Sequence, residues 1–407
     1  MIVVESVGLT PSAWCDLPIS GQVKSNVFVD CLHDVVDLLE IEVWFVSRQR
    51  GIAHSPRCTR RHRLGSVLVI GTTKGIFLAA AGESPRASEL ASRDVRVLRQ
   101  ADGHVLAGTN DGVYRSADRG QGWQRVGLEG REVLEVMPAP RDPHIVYAGT
   151  VPAALFRSRD GGATWSAVDS FTQAFDGDTW GLPAIAGWPS GARAHSIVVD
   201  ANDSERCVVG IEVGGVVSSA NNGGMWQTSL PGGVPDIHYV VADPGQPKRL
   251  YCSTGFGRIG KLAEVPEKER IAGMFASDDG GQSWRYIWQG MLHRYTRPLC
   301  IDSRPPHALT VGTAPNARPY ISYRIEGGAH GQVYQSTDAG GTWRPLGDAP
   351  HSPSVAAILC VTPAPDAAGN VLVGTDLGEV WHVEAETTHW TLLADGLAPV
   401  QSVLDIE

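Results

Sequence analysis

The sequence predicts an all-β protein built from repeated four-stranded units, and three observations support this prediction. An eight-residue pattern, Ser-x-Asp-x-Gly-x-x-Trp, occurs five times, with Asn in place of Asp in one copy. A second pattern, similar to Val-Leu-x-Gly-Thr, occurs seven times along the same part of the chain. The composition agrees, because 47 Gly and 12 Trp in 407 residues are typical of many short strands joined by tight turns.

The eight-residue pattern, called here the octapeptide, combines the residues that a tight hairpin turn requires. Asp and Ser at a strand end accept hydrogen bonds from backbone N–H groups of the turn, and Gly adopts positive φ at low cost. Trp begins the returning strand and brings a large apolar surface to a neighbouring sheet. We therefore interpret the third residue of each copy as structural and not catalytic. These residues are Asp118, Asp160, Asn221, Asp279 and Asp338.

The octapeptide resembles the Asp-box of the BNR-repeat families, which include sialidases, certain seven-bladed glycoside hydrolases, sortilin-type receptors and photosystem-assembly propellers. The resemblance covers the chain from about Val67 to its end. It implies a β-propeller. It says little about activity, because these families use one scaffold for unrelated functions.

The second strands then predict a seven-bladed β-propeller over residues 65–407. They begin at Val67, Val105, Val146, Val208, Leu250, Leu309 and Val371. Six of them follow an apolar first strand, at Val95–Leu98, Val133–Met137, His195–Asp200, His238–Ala242, Leu299–Asp302 and Val355–Val361. The first blade has no such strand upstream, whereas a spare strand, Val400–Ile406, ends the sequence. We expect this C-terminal strand to join the first blade and close the ring, which removes exposed sheet edges.

Residues 1–64 do not match the repeat. We interpret them as a weakly structured N-terminal extension or as a start site assigned too far upstream. They end in a basic run over 48–63, for which a tail that binds an acidic partner is the alternative. They hold seven basic and seven acidic residues, so the formal charge of −10 belongs to the propeller. An acidic body argues against binding to nucleic acid, which depends on neutralising phosphates.

The sequence also predicts a cytoplasmic protein without a membrane-spanning segment. No apolar run approaches the roughly 18 residues that cross a bilayer. The most apolar early stretch, residues 35–46, is interrupted by Asp37, Glu40 and Glu42, which argues against a signal-peptide core. The seven Cys are an odd number without a CxxC pair, and we interpret them as free thiols in a reducing compartment.

Long insertions indicate where a functional site should lie. They occupy residues 169–193, 255–272, 289–298 and 314–330. All fall between fourth and first strands or between second and third strands, so antiparallel connectivity puts them at one end of the ring. The octapeptide turns then lie at the opposite end. Because loops on a rigid scaffold concentrate function, we expect the site on the inserted face.

The first residues of the inner strands should meet where the central channel opens onto this face. The catalytic candidates there are His195, His238, Glu212 and Tyr239. The ligand-binding candidates are Arg193, Arg294, Tyr295, Arg297, His351 and Trp180.

Two kinds of chemistry fit these candidates. His195 and His238 could bind a divalent metal ion together with Glu212, or one of them could act as a general base. The arginines indicate an anionic ligand, since guanidinium groups match carboxylates and phosphates, although some could only pair with loop carboxylates. Aromatic residues of the insertions could stack on a sugar or could pin the long loops. They are Trp180, Trp188, Tyr320 and Tyr323.

The family resemblance does not select one activity. Sialidases have an early Arg-Ile-Pro motif, which this chain lacks, and its nearest match, residues 323–326, falls in the sixth blade. Seven-bladed glycoside hydrolases need two opposed carboxylates, for which the candidates are Glu212, Asp176 and Asp178. Seven-bladed lyases with a His base and a metal ion are similar only in ring size.

We therefore expect a propeller that binds a small polar, anionic or sugar-like ligand at the inserted mouth of the channel. If it is an enzyme, it is a hydrolase or a metal-assisted lyase that uses the His/Glu cluster. The alternatives are a non-catalytic scaffold for a protein partner and a sialidase-like glycoside hydrolase. A His–Glu cluster within hydrogen-bond or metal-binding reach favours the enzyme, whereas a flat apolar patch favours the scaffold.

Overall fold

The computed structural model describes residues 67–80, 83–173, 191–219, 223–233, 236–255, 272–315 and 327–406. The predicted extension over 1–64 lies outside these residues. So do several candidates in the insertions and one octapeptide position, namely Asp176, Asp178, Trp180, Trp188, Tyr320, Tyr323 and Asn221. Within the described ranges, no helix is long and apolar enough to span a membrane.

Strands are the main regular structure of the described residues. The first eleven strands are β1 (Val67–Thr72), β2 (Gly75–Ala80), β3 (Arg86–Ala87), β4 (Val95–Ala101), β5 (His104–Thr109), β6 (Gly112–Ser116), β7 (Gln124–Gly127), β8 (Glu132–Ala139), β9 (Asp142–Val151), β10 (Leu155–Ser158) and β11 (Ser166–Ala167). A short helix, α1 (Asp169–Gln173), follows them.

Seventeen further strands complete the ring. They are β12 (Arg193–Val199), β13 (Cys207–Glu212), β14 (Gly215–Ser219), β15 (Trp226–Ser229), β16 (Ile237–Asp243), β17 (Gln246–Thr254), β18 (Met274–Ser277), β19 (Arg285–Tyr286), β20 (Tyr295–Ile301), β21 (Leu309–Ala314), β22 (Gln332–Ser336), β23 (Arg344–Pro345), β24 (Ile358–Pro363), β25 (Val371–Thr375), β26 (Val380–Val383), β27 (Trp390–Ala394) and β28 (Val400–Ile406). Two single 3-10 turns lie at Pro231–Gly233 and Ala349–His351.

These strands make seven four-stranded antiparallel sheets, so the predicted seven-bladed β-propeller is confirmed. Six blades are consecutive in sequence, and the first has the order β28-β1-β2-β3. The inner strands of successive blades contact one another, and β24 contacts β28, which completes the ring. The pairing runs from Val67 opposite Ile406 to Thr72 opposite Val400, so the C-terminal strand closes the first blade as predicted.

The hydrophobic core lies between the blades. One cluster combines Val69 of the first blade with Leu98 and Val105 of the second, and all three are buried. Close approach requires Gly in the second-strand pattern. A Cβ at Gly149 would lie 2.5 Å from the carbonyl oxygen of Ala194 in the next blade. The recurring Gly therefore allows adjacent sheets to pack without a gap.

The octapeptide turns are fixed by the hydrogen bonds that their residue types predict. In all five turns the backbone N–H of the Gly donates to the first Ser Oγ at 2.8 Å. In the fourth turn, Asp279 accepts hydrogen bonds from the hydroxyl and the backbone N–H of Ser283 and from the hydroxyl of Ser277. These hydrogen bonds lower the pKa of Asp279 to about 2. The Trp side chains reach the preceding blade; for example, Trp343 Nε1 donates to the Ile287 carbonyl at 2.6 Å. The Asp side chains therefore stabilise the turns through hydrogen bonds.

Substituting Ser277 with Ala is expected to destabilise the protein by about 1–3 kcal/mol, because the buried Gly281 N–H loses its acceptor. Chemical unfolding of the purified variant measures the change. Gln282→Ala in the same exposed turn is the control and should change the free energy of unfolding by under about 0.5 kcal/mol. Equal effects of the two substitutions would contradict the role given to the Ser hydroxyl.

Candidate functional site

Each of the seven inner strands contains a β-bulge near the end that opens onto the inserted face. In β12, Ala194 pairs with Ile211 and Ser196 with Gly210, so His195 is the extra residue. In β16 the extra residue is His238, and in β20 it falls at Arg297 and Pro298. The remaining strands have Gln401, Arg96, Leu134 and Leu359 at this position. Bulges redirect side chains and are frequent beside active sites.

The bulges of blades four and six meet across the channel. Arg297 Nη2 donates to His195 Nε2 at 2.6 Å. The fifth blade lies between these two in the ring, so their side chains touch from non-adjacent blades. Arginine only donates, so Nε2 accepts and the proton of the neutral ring is on Nδ1. This nitrogen is buried without a hydrogen-bond partner among the described residues, and the ring packs edge-to-face against Tyr239 at 5.2 Å.

A buried carboxylate lies beside this pair. Glu212 ends β13, is 6% exposed, and accepts from Arg193 Nη1 at a long 3.5 Å. Burial alone would raise its pKa, but the positive charge of Arg297, with smaller contributions from His195, His238 and Arg193, lowers the pKa to about 2. The carboxylate is therefore ionised at neutral pH, and the charges of Glu212 and Arg297 stabilise each other.

His238 lies close to Asp236, the residue that precedes strand β16. Its ring is 1% exposed, and Nδ1 lies 2.7 Å from the carbonyl oxygen of Thr296. Nε2 is 3.6 Å from Asp236 Oδ1. Ligand atoms of Glu212, Asp236 and His238 all lie within 4.8 Å of one another, which makes them the residues here that could hold a metal ion. His195, which the sequence analysis grouped with His238 and Glu212 as a metal ligand, is not part of this cluster, and its Nε2 accepts a hydrogen bond from Arg297.

The two tyrosines predicted at the mouth pack against the histidines. The Tyr295 ring lies 4.9 Å from that of His238, edge-to-face. Burial raises the pKa of Tyr295 and of Tyr239, although the charge of Arg297 acts in the opposite direction. Both hydroxyls are therefore protonated at neutral pH and can donate hydrogen bonds to a ligand oxygen.

The remaining candidates are placed differently. Arg294 lies with its guanidinium carbon 5.0 Å from the centre of the Trp288 ring. His351 hydrogen-bonds Asp348 and stacks on Trp390 in the last blade, with ring centres 4.5 Å apart. Trp180 lies outside the described residues. The described mouth thus brings together His195, His238, Glu212, Tyr239, Arg193, Tyr295 and Arg297.

Sequence reasoning missed Asp236 and the bulges. Asp236 lies two residues before His238, and an Asp-x-His pair at the entrance of an inner strand was the available signal. Gly255 was also overlooked. A Cβ there would lie 2.1 Å from Asp236 Oδ2 and 2.9 Å from His238 Cε1, so this Gly leaves room for both side chains.

Acidification is expected to destabilise the protein through His195. Burial, and then the charge of Arg297, holds the pKa of His195 well below its usual 6.5. The unfolded chain therefore binds a proton that the folded protein does not, so stability falls as pH decreases below about 6.5. One such residue removes about 1.4 kcal/mol between about pH 7.5 and 5.5.

Chemical unfolding with a metal chelator at both pH values measures this dependence. His195→Gln should reduce the difference between the two pH values by about 1.4 kcal/mol, whereas His144→Gln, at a position 62% exposed, should leave it unchanged. An unchanged pH dependence in His195→Gln would contradict the assignment.

Comparisons with known proteins give a partial similarity. No family model matches the chain. A xyloglucanase of Paenibacillus sp is 26% identical over 289 residues, which cover 53% of this chain and 27% of that protein. A xyloglucanase of Acetivibrio thermocellus is 26% identical over 276 residues, which cover 59% of this chain and 30% of that protein. The chain thus spans less than a third of the length of these curated relatives.

A solved structure supports the fold. The GH74 xyloglucanase from Xanthomonas campestris matches with a TM-score of 0.60 and 19% sequence identity, over 82% of this chain and 53% of that chain. The chain is therefore similar in sequence to part of xyloglucanases and shares their propeller fold.

Proposed function

We propose that this protein binds a small sugar-like ligand that carries a negative charge, at the inserted mouth of the channel, and cleaves it there. The observation that supports this proposal is the contact between Arg297 and His195, bulged residues of two non-adjacent blades. Close to this contact lie two buried imidazoles and two partly buried tyrosines. Polar groups that converge in this way are typical of a ligand site.

The residue types fit a sugar acid. A guanidinium group binds a carboxylate through parallel N–H donors, and tyrosine hydroxyls bind sugar oxygens. The similarity to xyloglucanases supports a glycan as the ligand class. Glu212 is ionised and can therefore accept a hydrogen bond from a sugar hydroxyl.

The short distance between the two carboxylates argues against an inverting glycosidase mechanism at this mouth. Glu212 and Asp236 offer oxygens within 4.8 Å of each other. Inverting glycosidases need about 6.5–9.5 Å between the two carboxyl groups, so that water fits beside the sugar. Retaining glycosidases place their two carboxyl groups about 5–5.5 Å apart, which this separation approaches. We therefore propose that cleavage here proceeds either by retaining hydrolysis, in which water is added in a second step, or by elimination with an imidazole base.

Binding and product analysis test this proposal together. Purified protein is titrated with neutral xyloglucan oligosaccharides and with oligosaccharides that contain uronic acids, and the products are identified by mass spectrometry. Hydrolysis adds water to the products, whereas elimination leaves an unsaturated product. We expect binding of an acidic oligosaccharide to weaken at least about tenfold in Arg297→Lys, because Lys lacks the planar pair of donors.

Arg285→Lys is the matched control, since Arg285 pairs with Asp278 beside an octapeptide turn. Its binding should equal that of the unmodified protein. Failure of every oligosaccharide to bind, or equal binding by Arg297→Lys, would reject the proposal. Binding of a partner protein at this face without turnover would favour the scaffold alternative.

A further inference from the structure

We infer that Glu212, Asp236 and His238 form a binding site for a single divalent first-row metal ion. The site shares its location with the proposed ligand site, but metal binding can be measured without any ligand. The two proposals therefore fail separately. The inference rests on the orientation of one imidazole, on two carboxylates that face it, and on the wall that the backbone forms around them.

The orientation of His238 is that of a metal-binding histidine. Nδ1 lies 2.7 Å from the Thr296 carbonyl oxygen, which can only accept, so Nδ1 carries a proton. In the neutral ring Nε2 then presents a lone pair. Histidines that bind metals commonly donate their other ring N–H to a backbone carbonyl in this way, which fixes the ring and its tautomer.

The carbonyl itself is held in place by the adjoining blade. Thr296 Oγ1 accepts from the Thr254 N–H at 3.0 Å and lies 3.0 Å from the Gly273 carbonyl oxygen. Thr296 and Thr254 are both buried. The histidine is therefore positioned by hydrogen bonds that do not involve the proposed ion.

The lone pair of His238 faces a negative charge. Asp236 Oδ1 is 3.6 Å from Nε2, which is longer than a hydrogen bond. One cation placed between them could bind both this nitrogen and this carboxylate oxygen. Glu212, the third member, has an oxygen within 4.8 Å of both. Three such ligands around one point are the minimum set of a catalytic metal site that leaves a position open for substrate or water.

The distances need an adjustment. Three atoms bound to one ion at about 2.1 Å lie at most about 3.6 Å from one another. The cluster, whose ligand atoms lie within 4.8 Å of one another, would therefore contract by up to about 1 Å when an ion binds, through rotation of the side chains. Mixed carboxylate and imidazole ligands suit Mn²⁺, Fe²⁺ or Zn²⁺ better than Ca²⁺, which takes six to eight oxygens.

Gly255 forms one wall of the cluster. The Cβ of an alanine there would lie 2.1 Å from Asp236 Oδ2 and 2.9 Å from His238 Cε1. Gly255→Ala should therefore displace both ligands while it leaves all three in the chain. Asp236 can move aside because Oδ2 is the end of a flexible side chain, whereas the buried His238 ring is under pressure from the new methyl group.

Mn²⁺ titration tests the inference with the metal alone. Full-length protein is treated with a chelator, exchanged into metal-free buffer and titrated, and free Mn²⁺ is measured by electron paramagnetic resonance. We expect one Mn²⁺ per chain. Metal affinity usually falls by roughly 10- to 100-fold when a residue that hydrogen-bonds a metal ligand is lost. We expect Mn²⁺ affinity to fall by at least this factor in each of the variants Asp236→Asn, His238→Gln and Gly255→Ala.

Two matched controls complete the experiment. Asp102→Asn/His144→Gln removes an exposed His–Asp pair at the same 3.6 Å separation and should leave Mn²⁺ binding unchanged. Gly245→Ala changes a glycine at the other end of the same blade. Circular dichroism confirms that each variant is folded. Should His238→Gln fail to fold, Asp236→Asn and Gly255→Ala decide the question.

Absence of stoichiometric Mn²⁺ binding, or equal affinity in Asp236→Asn and Gly255→Ala, would overturn the inference. In that case Glu212, Asp236 and His238 form only a cluster of polar side chains at the mouth of the channel. Oligosaccharide binding that persists in the chelated protein would support the proposed function but not the metal site. Mn²⁺ binding without any oligosaccharide binding would support the metal site but not the proposed function.

Discussion

Deletion of residues 400–407 is expected to prevent the protein from folding into a stable ring. The deletion removes β28, in which Val400, Val403 and Ile406 are at most 4% exposed. Each such side chain contributes about 1.5–3 kcal/mol by burial, and the strand also pairs with β1 over six positions. A folded domain has a net stability of only about 5–15 kcal/mol. We expect the truncated chain to be recovered as aggregate, because β1 then becomes an exposed edge.

The loss is larger than that of an ordinary terminal strand, because β28 connects three blades. Ser402 Oγ accepts from the Leu98 N–H of the second blade at 3.0 Å, and Gln401 accepts from Arg96 at 3.0 Å. On its other side, β28 contacts β24 of the seventh blade. Its removal therefore opens the ring as well as the first blade.

A circular permutant separates ring closure from chain length. Ile406 lies opposite Val67, so a short hairpin loop can join them in a chain that begins at Ala398 and ends at Leu397. This permutant keeps β28 as a covalent part of the first blade and should fold. Size-exclusion chromatography and thermal unfolding compare the two proteins. A truncated chain as stable as the permutant would contradict the role given to β28.

The fold could be predicted from the sequence because its signals are local and repeated. Each octapeptide fixes a turn through atoms two to four residues apart, such as Ser277 Oγ and the Gly281 N–H. The closure by β28 followed from counting strands, since the first blade lacked one. The boundaries were less accurate at β20, predicted at Leu299–Asp302 and observed at Tyr295–Ile301. There the Arg297-Pro298 bulge interrupts the apolar pattern.

The candidate site could be predicted only in part, because its contacts join residues that are far apart in the chain. The entrances of the inner strands placed His195, His238 and Arg297 at one mouth. Nothing in the sequence shows that Arg297 bonds His195 across the fifth blade, since that contact depends on the bulge in each strand. Asp236 was missed because it precedes its strand, and only the ring brings it to Glu212.

Replacing Arg297 with Met is expected to lower the stability of the protein by about 1–3 kcal/mol at neutral pH, because the buried carboxylate of Glu212 then keeps only its long contact with Arg193. The charge of Arg297 is the largest favourable influence on ionised Glu212. In the parent protein Glu212 contributes stability that is present above the unfolded pKa of 4.5 and is lost as pH falls toward about 2. Without Arg297, the pKa of Glu212 rises because burial is less well compensated. The contribution of ionised Glu212 to the free energy of unfolding therefore becomes smaller.

A double-mutant cycle measures the interaction. Glu212→Gln removes the charge that Arg297→Met leaves alone, so the double variant should be more stable than Arg297→Met. Chemical unfolding of the four proteins in chelator gives a coupling energy, which we expect to be about 1–3 kcal/mol. The surface pair Arg249 and Asp278, 2.6 Å apart and half-exposed, is the control, and its cycle should give under about 1 kcal/mol. Additive effects at Arg297 and Glu212 would mean that Arg193 alone neutralises the carboxylate. Arg297 would then be free to bind a ligand without any loss of stability.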